Sequence, residues 1–328
     1  MHEDKLVNLK DIKCAQSVIS ESPLGVNETP LLQKMTSFFP SVDQSIDLSL
    51  KLENMQTTGS FKLRGVANQM AHLPEDVKSG NKLAITMSAG NYGKAFAYAL
   101  NKLDLSGICI MPLTAPSSRV KLIKEYGIKV EQTATADIQK TVDRYVKENG
   151  CNFLHSFDDL SLMAGYGSIA LEILESGVKP DVVLVCCGGG GLVSGIAAGL
   201  KLSGLQDCRI YAVEPEGAAC MYESFKKGEA VSLPTVKTIA AGLAPPYAGK
   251  ITYQHCKEFV EDVLLVTDQE IIDSMNLLFH RGFVVEPSGC AAMAALVNNK
   301  VPDVANKKVV VVITGGNVTP EELAAFLK

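Results

Sequence analysis

No block of lysine or arginine and no arginine-rich tail appears in the 328 residues, whose formal net charge is −5. That absence argues against a nucleic-acid or anionic-membrane partner and leaves a small molecule as the expected ligand. No uncharged apolar stretch approaches the ~20 residues of a membrane helix, so none is expected. The first residues, Met1-His2-Glu3-Asp4-Lys5, carry acids and no apolar run. This excludes an ordinary secretory signal or a transit peptide, and the cytoplasm is the expected compartment. There is neither a CxxC pair nor a nearby His-x-x-x-His, and the nine cysteines are odd in number and scattered. Several lie inside apolar runs, such as Cys109 in Gly107-Ile108-Cys109-Ile110-Met111, where cysteine acts as a small hydrophobe; reduced thiols are expected. Cys186 and Cys187 are neighbours on an expected strand and point to opposite faces, which argues against a redox pair. Internal repeats and low-complexity linkers are absent too.

What is present is a soluble-type composition, 47% hydrophobic and 20% charged, in which short apolar runs alternate with longer amphipathic ones. This pattern predicts βαβ units around parallel sheets, an α/β fold. Strands are expected at 82–87, 107–111, 129–132, 152–155, 181–187, 209–213, 263–267 and 308–314. Helical spacing covers 93–102 and 168–175. Thr319-Pro320-Glu321-Glu322 is a capping box that opens a last helix, expected to run to Lys328 without a regulatory domain beyond it. Residues 83–155 are expected to form a small domain, entered and left through a larger body of residues 1–82 and 156–328, with a cleft between.

Four short segments carry the chemistry. Gly188-Gly189-Gly190-Gly191 follows the apolar strand Val182-Val183-Leu184-Val185 and precedes a helix beginning at Leu192. Successive glycine N–H groups and a helix N-terminus make a cradle for phosphate. A dinucleotide site fails on spacing, because Val193 and Ser194 stand where GxGxxG needs its last glycine. A glycine-rich turn without any ligand is the plainer alternative. Lys62 lies in Thr58-Gly59-Ser60-Phe61-Lys62-Leu63-Arg64-Gly65, a polar turn leading into a helix that would bury the amine, lower its pKa and suit it to imine chemistry. Ser88-Ala89-Gly90-Asn91 and Thr314-Gly315-Gly316-Asn317 supply an amide and a hydroxyl. A lysine, a phosphate cradle, an amide and a hydroxyl together are the parts of a pyridoxal-phosphate site.

These segments occur in order with Thr29-Pro30-Leu31, Phe157-Asp158-Asp159, Gly165-Tyr166-Gly167, Glu214-Pro215 and Glu286-Pro287-Ser288-Gly289. Together they resemble the fold-type II pyridoxal-phosphate enzymes, in the branch of serine/threonine dehydratases and serine racemases. The resemblance implies a two-lobed α/β fold of the tryptophan-synthase β type, and a homodimer. It implies that Lys62 binds pyridoxal 5'-phosphate and then serves as base on the substrate Cα. Phe61, Asn91, Gly188 to Gly191, Leu192 and Thr314 would surround the cofactor. Ser88, Ala89, Gly90 and Asn91 would bind the substrate carboxylate, with Ser88 as a side-chain donor. Thr314 would face the pyridine nitrogen, where an uncharged hydroxyl makes the ring a weaker electron sink than a carboxylate would.

The chain departs from the family pattern at several places. Racemase members have a second serine, acting on the opposite face, where this chain has Ala89. Tyr92 replaces a histidine, Tyr166 a glutamine and Ala241 an aspartate. The run Ala244-Pro245-Pro246-Tyr247-Ala248-Gly249 is expected to form a substrate-pocket loop. Glu214 and Ala218 match two positions of a divalent-cation site, but Cys220 takes the third, so no metal is expected. His155 and His280 lie outside the motifs and receive no role. The activity expected is an ammonia-lyase acting on L-threonine, L-serine or threo-3-hydroxyaspartate. An amino-acid racemase and a cofactor-binding protein without turnover are the alternatives, beside a β-replacement enzyme that would need a second, nucleophilic substrate.

Overall fold

The computed structural model describes residues 5–327; the expectations for Met1 to Asp4 and for Lys328 lie outside them. Among the described residues ten strands form two sheets. In chain order they are β1 (Leu31–Leu32), β2 (Asp47–Leu52), β3 (Ala84–Met87), β4 (Gly107–Pro112), β5 (Lys129–Thr133), β6 (Asn152–Phe153), β7 (Val182–Cys186), β8 (Arg209–Pro215), β9 (Asp262–Val266) and β10 (Lys308–Ile313). The larger sheet runs β1-β2-β10-β7-β8-β9 and the smaller β5-β4-β3-β6. Every pairing is parallel except the short β1–β2 contact at the edge.

The larger sheet is covered on both faces, as parallel strands require. Along β7 and β10, Val183, Val185, Val310 and Val312 enter one apolar cluster, while Val182, Leu184, Val309, Val311 and Ile313 enter the other. Cys187 belongs to the first cluster and Cys186 to the second, so the two thiols do point to opposite faces. All nine cysteines are free.

Eight of the strands answer to the expected runs, whereas β1 and β2 were not foreseen. In Asp47-Leu48-Ser49-Leu50-Lys51-Leu52 a polar residue alternates with leucine, which reads as a solvated edge. In the fold Ser49 and Lys51 are buried, because Lys51 Nζ pairs with Glu172 and donates to Thr29 O at 2.6 Å. β2 is therefore an interior strand beside β10.

The helix expected at 168–175 begins at Leu160 and ends at Glu175, capped by Asp159, whose carboxylate accepts from the Leu162 N–H at 2.8 Å. Gly165 and Gly167 interrupt its apolar period for a packing reason. A Cβ on Gly165 would lie 2.8 Å from both Arg64 O and Gly65 Cα, so this helix meets the helix Lys62–Ala71 backbone to backbone. That contact seats the helix that begins at Lys62. The capping box at Thr319 is present, but its helix ends at Phe326.

Candidate active site

Lys62 is held by two elements far apart in sequence. Phe61 N donates to Thr314 O at 3.1 Å, Gly316 N donates to Gly59 O at 2.9 Å, and Ser60 bridges Gly315. Gly59 needs its glycine, since φ is +77° and a Cβ would strike the Asn317 side chain. The turn 58–61 is thus stitched to the strand end 314–317, and the helix beginning at Lys62 projects the amine into a cleft of about 480 Å³. Nζ donates to Ser156 O at 2.9 Å and lies 5.0, 5.7 and 5.8 Å from the ring centres of Phe61, Tyr92 and Tyr166. Burial among these groups, with no carboxylate as partner, lowers the Lys62 pKa to about 7.

The tetraglycine lines the same cleft. Among the described residues none of the backbone N–H groups of 188 to 193 has a hydrogen-bond acceptor, and the next, Ser194 N, returns to Gly190 O. Consecutive unpaired donors at the start of the helix Gly191–Leu202 call for an anion. Glycine is required here sterically: a Cβ on Gly189 would lie 2.2 Å from the Phe157 ring, and Gly190 has φ +95°. Gly189→Ala is therefore expected to push the loop off Phe157 and weaken pyridoxal-phosphate binding by about 30-fold, the value of a charge-assisted hydrogen bond. Equilibrium dialysis measures this, and an unchanged Kd would remove the loop from the phosphate site.

Ser88, Ala89, Gly90, Asn91 and Tyr92 line the cleft at the start of the helix Asn91–Lys102. The N–H groups of 89, 91 and 92 have no acceptor among the described residues. Ser88 Oγ faces its own loop, accepting from Gly90 N at 3.3 Å and Gly93 N at 3.1 Å, which leaves its proton available to donate. Asn91 is engaged at both ends, donating to Glu286 Oε1 and accepting from Asn317 Nδ2 at 2.8 Å. Thr314 Oγ1 donates to Ser288 O at 3.3 Å, and the residue is 3% exposed. Leu192 and Phe61 complete the wall, Phe61 packing edge-on against Tyr166 with ring centres 4.9 Å apart.

Other residues singled out in the sequence have structural duties. Tyr92 OH donates to Gln69 Oε1 at 2.6 Å, while the buried Tyr166 OH has no partner among the described residues. Ala241 and Ala244 line the cleft, and Tyr247 packs at 5.3 Å from Phe157. Glu214 accepts from Met221 N and Tyr222 N, each at 2.9 Å, and burial raises its pKa to about 8. Its carboxyl therefore serves as a helix cap. His155 Nδ1 accepts from Asp158 N at 2.9 Å and Nε2 faces Tyr247 OH, a loop-shaping role. His280 Nδ1 bonds Asn276 O. The charged residues Glu286, Lys94 and Arg119 were not foreseen; the only signal for any of them was Glu286 in its four-residue motif.

The donor set fits pyridoxal phosphate: unpaired N–H groups for a phosphate, a second set for a carboxylate, and a neutralisable amine between walls of one cleft. Comparison with known proteins agrees. A serine racemase of Schizosaccharomyces pombe is 36% identical over 304 residues, covering 92% of each chain. An L-threo-3-hydroxyaspartate ammonia-lyase of Pseudomonas sp is 34% identical over 305 residues, covering 92% of this chain and 93% of the relative. The solved threonine deaminase isoform 2 of Solanum lycopersicum superposes with a TM-score of 0.85 at 28% identity, covering 98% of this chain and 95% of that one. The family model described as pyridoxal-phosphate dependent enzyme matches residues 23–315, and the chain belongs to that family.

Proposed function

We propose that this chain is an ammonia-lyase that converts a small β-hydroxy amino acid to a 2-oxo acid and ammonia. The observation that carries this reading is the pairing of one acid–base amine, Lys62, with the apolar Ala89 on the carboxylate loop. Cys186 and Cys187 also line the cleft, but burial raises both thiols, Cys186 to about 11, so neither supplies a second base. Racemisation needs proton transfer on both faces of Cα; elimination needs it on one.

Bound pyridoxal phosphate supplies an electron sink for the pair left at Cα when its proton departs. Lys62 would hold the cofactor covalently until substrate arrives, and its neutral amine would then take the Cα proton at Nζ. Ser156 O orients that nitrogen. The N–H groups of 188 to 193 would hold the phosphate, and those of 89, 91 and 92 the substrate carboxylate. Asn91, fixed by Glu286 and Asn317, would direct its remaining N–H at the cofactor phenolate. The Thr314 hydroxyl, lacking charge, would stabilise a protonated ring nitrogen weakly, which disfavours a long-lived carbanion and suits loss of the β-hydroxyl.

We further infer that residues 1–82 and 156–328 make the cofactor lobe and 83–155 the smaller lobe. The separation of the two sheets supports this, the smaller one lying wholly between residues 84 and 153. Likeness to the family supports a homodimer acting in the cytoplasm. Among the described residues no helix is long and apolar enough to cross a membrane.

Proton NMR of L-threonine, L-serine and threo-3-hydroxyaspartate with the holoenzyme in D₂O tests the activity. A 2-oxo acid is expected. Deuterium at Cα without elimination would replace the lyase with a racemase, and unchanged spectra would leave a cofactor-binding protein without turnover.

A further inference from the structure

Among the described residues two cations stand at the cleft without an ion-pair partner. Lys94 lies on the helix Asn91–Lys102, and Arg119, on the helix Ser117–Glu125, lines the cleft wall. Among the described residues neither has a carboxylate within salt-bridge distance. Both lean instead on the neutral oxygens of one residue: Lys94 Nζ donates to Asn317 Oδ1 at 2.6 Å, and Arg119 Nη2 donates to Asn317 O at 2.7 Å. An ammonium and a guanidinium sharing one uncharged partner repel each other. The Lys94 pKa is lowered accordingly, first by desolvation and then by Arg119, with Glu286 opposing.

Two acids are near, and each is engaged elsewhere. Glu286 has an oxygen taken by Asn91, and burial pushes its carboxyl up to about 7. Glu322 Oε2 accepts from Thr319 N at 2.9 Å in the capping box at the cleft rim. The other anions the cleft must receive have places of their own, the phosphate at 188 to 193 and the α-carboxylate at 88 to 92. Of the guanidinium's five donors, Arg119 uses one among the described residues.

Resting on the ammonia-lyase reading, we propose that Arg119, supported by Lys94, takes a second carboxylate on the substrate side chain. The preferred substrate class is then a dicarboxylic β-hydroxy amino acid of the 3-hydroxyaspartate type. A planar guanidinium meets a carboxylate through two parallel hydrogen bonds. Serine or threonine would leave both cations with Glu286, whose carboxyl burial pushes up to about 7, as their nearby counter-charge, and a polar site left short of a partner discriminates strongly.

The test compares kcat/KM for threo-3-hydroxyaspartate with that for L-serine in wild-type, Arg119→Gln and Arg119→Lys holoenzymes. The ratio is expected to fall by about 30-fold in Arg119→Gln and to recover in part in Arg119→Lys. A ratio unchanged by Arg119→Gln would overturn the proposal and leave Arg119 as a tether for Asn317. Succinate separates this outcome from failure of the lyase reading, because it carries two carboxylates and no amine. It should raise the Tm of the wild-type holoenzyme more than butyrate does, and lose that advantage in Arg119→Gln. No advantage over butyrate overturns the carboxylate site whatever the turnover. An advantage without turnover of any amino acid supports the site and sinks the lyase reading alone.

Discussion

Replacing Lys62 with alanine is expected to abolish covalent cofactor attachment and to lower turnover by about 10⁴-fold or more, since both nucleophile and base are lost. The size of the effect follows from the environment of the amine. An ordinary lysine, with a pKa of 10.5, is neutral in roughly one molecule in 3,000 at pH 7. Burial lowers Lys62 to about 7, so about half of the molecules present a free electron pair at that pH. Borohydride reduction followed by intact-protein mass checks the prediction: wild type retains the cofactor mass, and Lys62→Ala does not. Because the N–H groups of 188 to 193 are untouched by the change, equilibrium dialysis should still find cofactor held non-covalently. Attachment surviving in Lys62→Ala would place the bond on another lysine and overturn the assignment.

Much of this site was legible because its parts are backbone features written in glycine. Four glycines after an apolar strand announce unpaired N–H groups, and Gly-Gly after Thr314 announces close approach, without any knowledge of the tertiary fold. The helix after Lys62 was legible from the polar turn before it, although it begins at Lys62 itself, ahead of Val66-Ala67. What stayed hidden depends on partners distant in sequence. Lys51 disguised β2, since nothing near it reveals Glu172 across the core. Gly165 and Gly167 disguised the first two turns of the helix Leu160–Glu175, because a glycine admitted for close packing looks like one that ends a helix. The aromatic substitutions Tyr92 and Tyr166 read as packing changes or as a reshaped pocket, and both rings stand beside the Lys62 amine. Asn317 was visible as the last letter of a motif; its bonds to Asn91, Lys94, Arg119 and Thr58 were not.

The second large effect is expected at Arg64, two residues from Lys62. Its side chain is 1% exposed and meets Glu53, 0% exposed, through Nε at 2.8 Å and Nη2 at 2.9 Å. Nη2 also reaches Glu172 at 2.7 Å, and Lys51 pairs with Glu172 from the other side. Burial alone would lower the guanidinium pKa, but Glu53 and Glu172 more than offset it and hold the pKa above its ordinary value. Two buried carboxylates are thus matched by two buried cations. Arg64→Met keeps the volume and removes one cation, leaving Glu53 with Thr29 Oγ1 as its remaining side-chain donor. Stranding a buried charge costs about 3–5 kcal/mol, a large share of a typical stability of about 5–15 kcal/mol. Urea denaturation should show a lower midpoint with a similar slope. The double variant Arg64→Met/Glu53→Gln is expected to recover part of the loss, since it removes the stranded charge as well. If the double variant is as unstable as the sum of its single changes, the cost comes from packing, and the ion network has no part in seating the helix that carries Lys62.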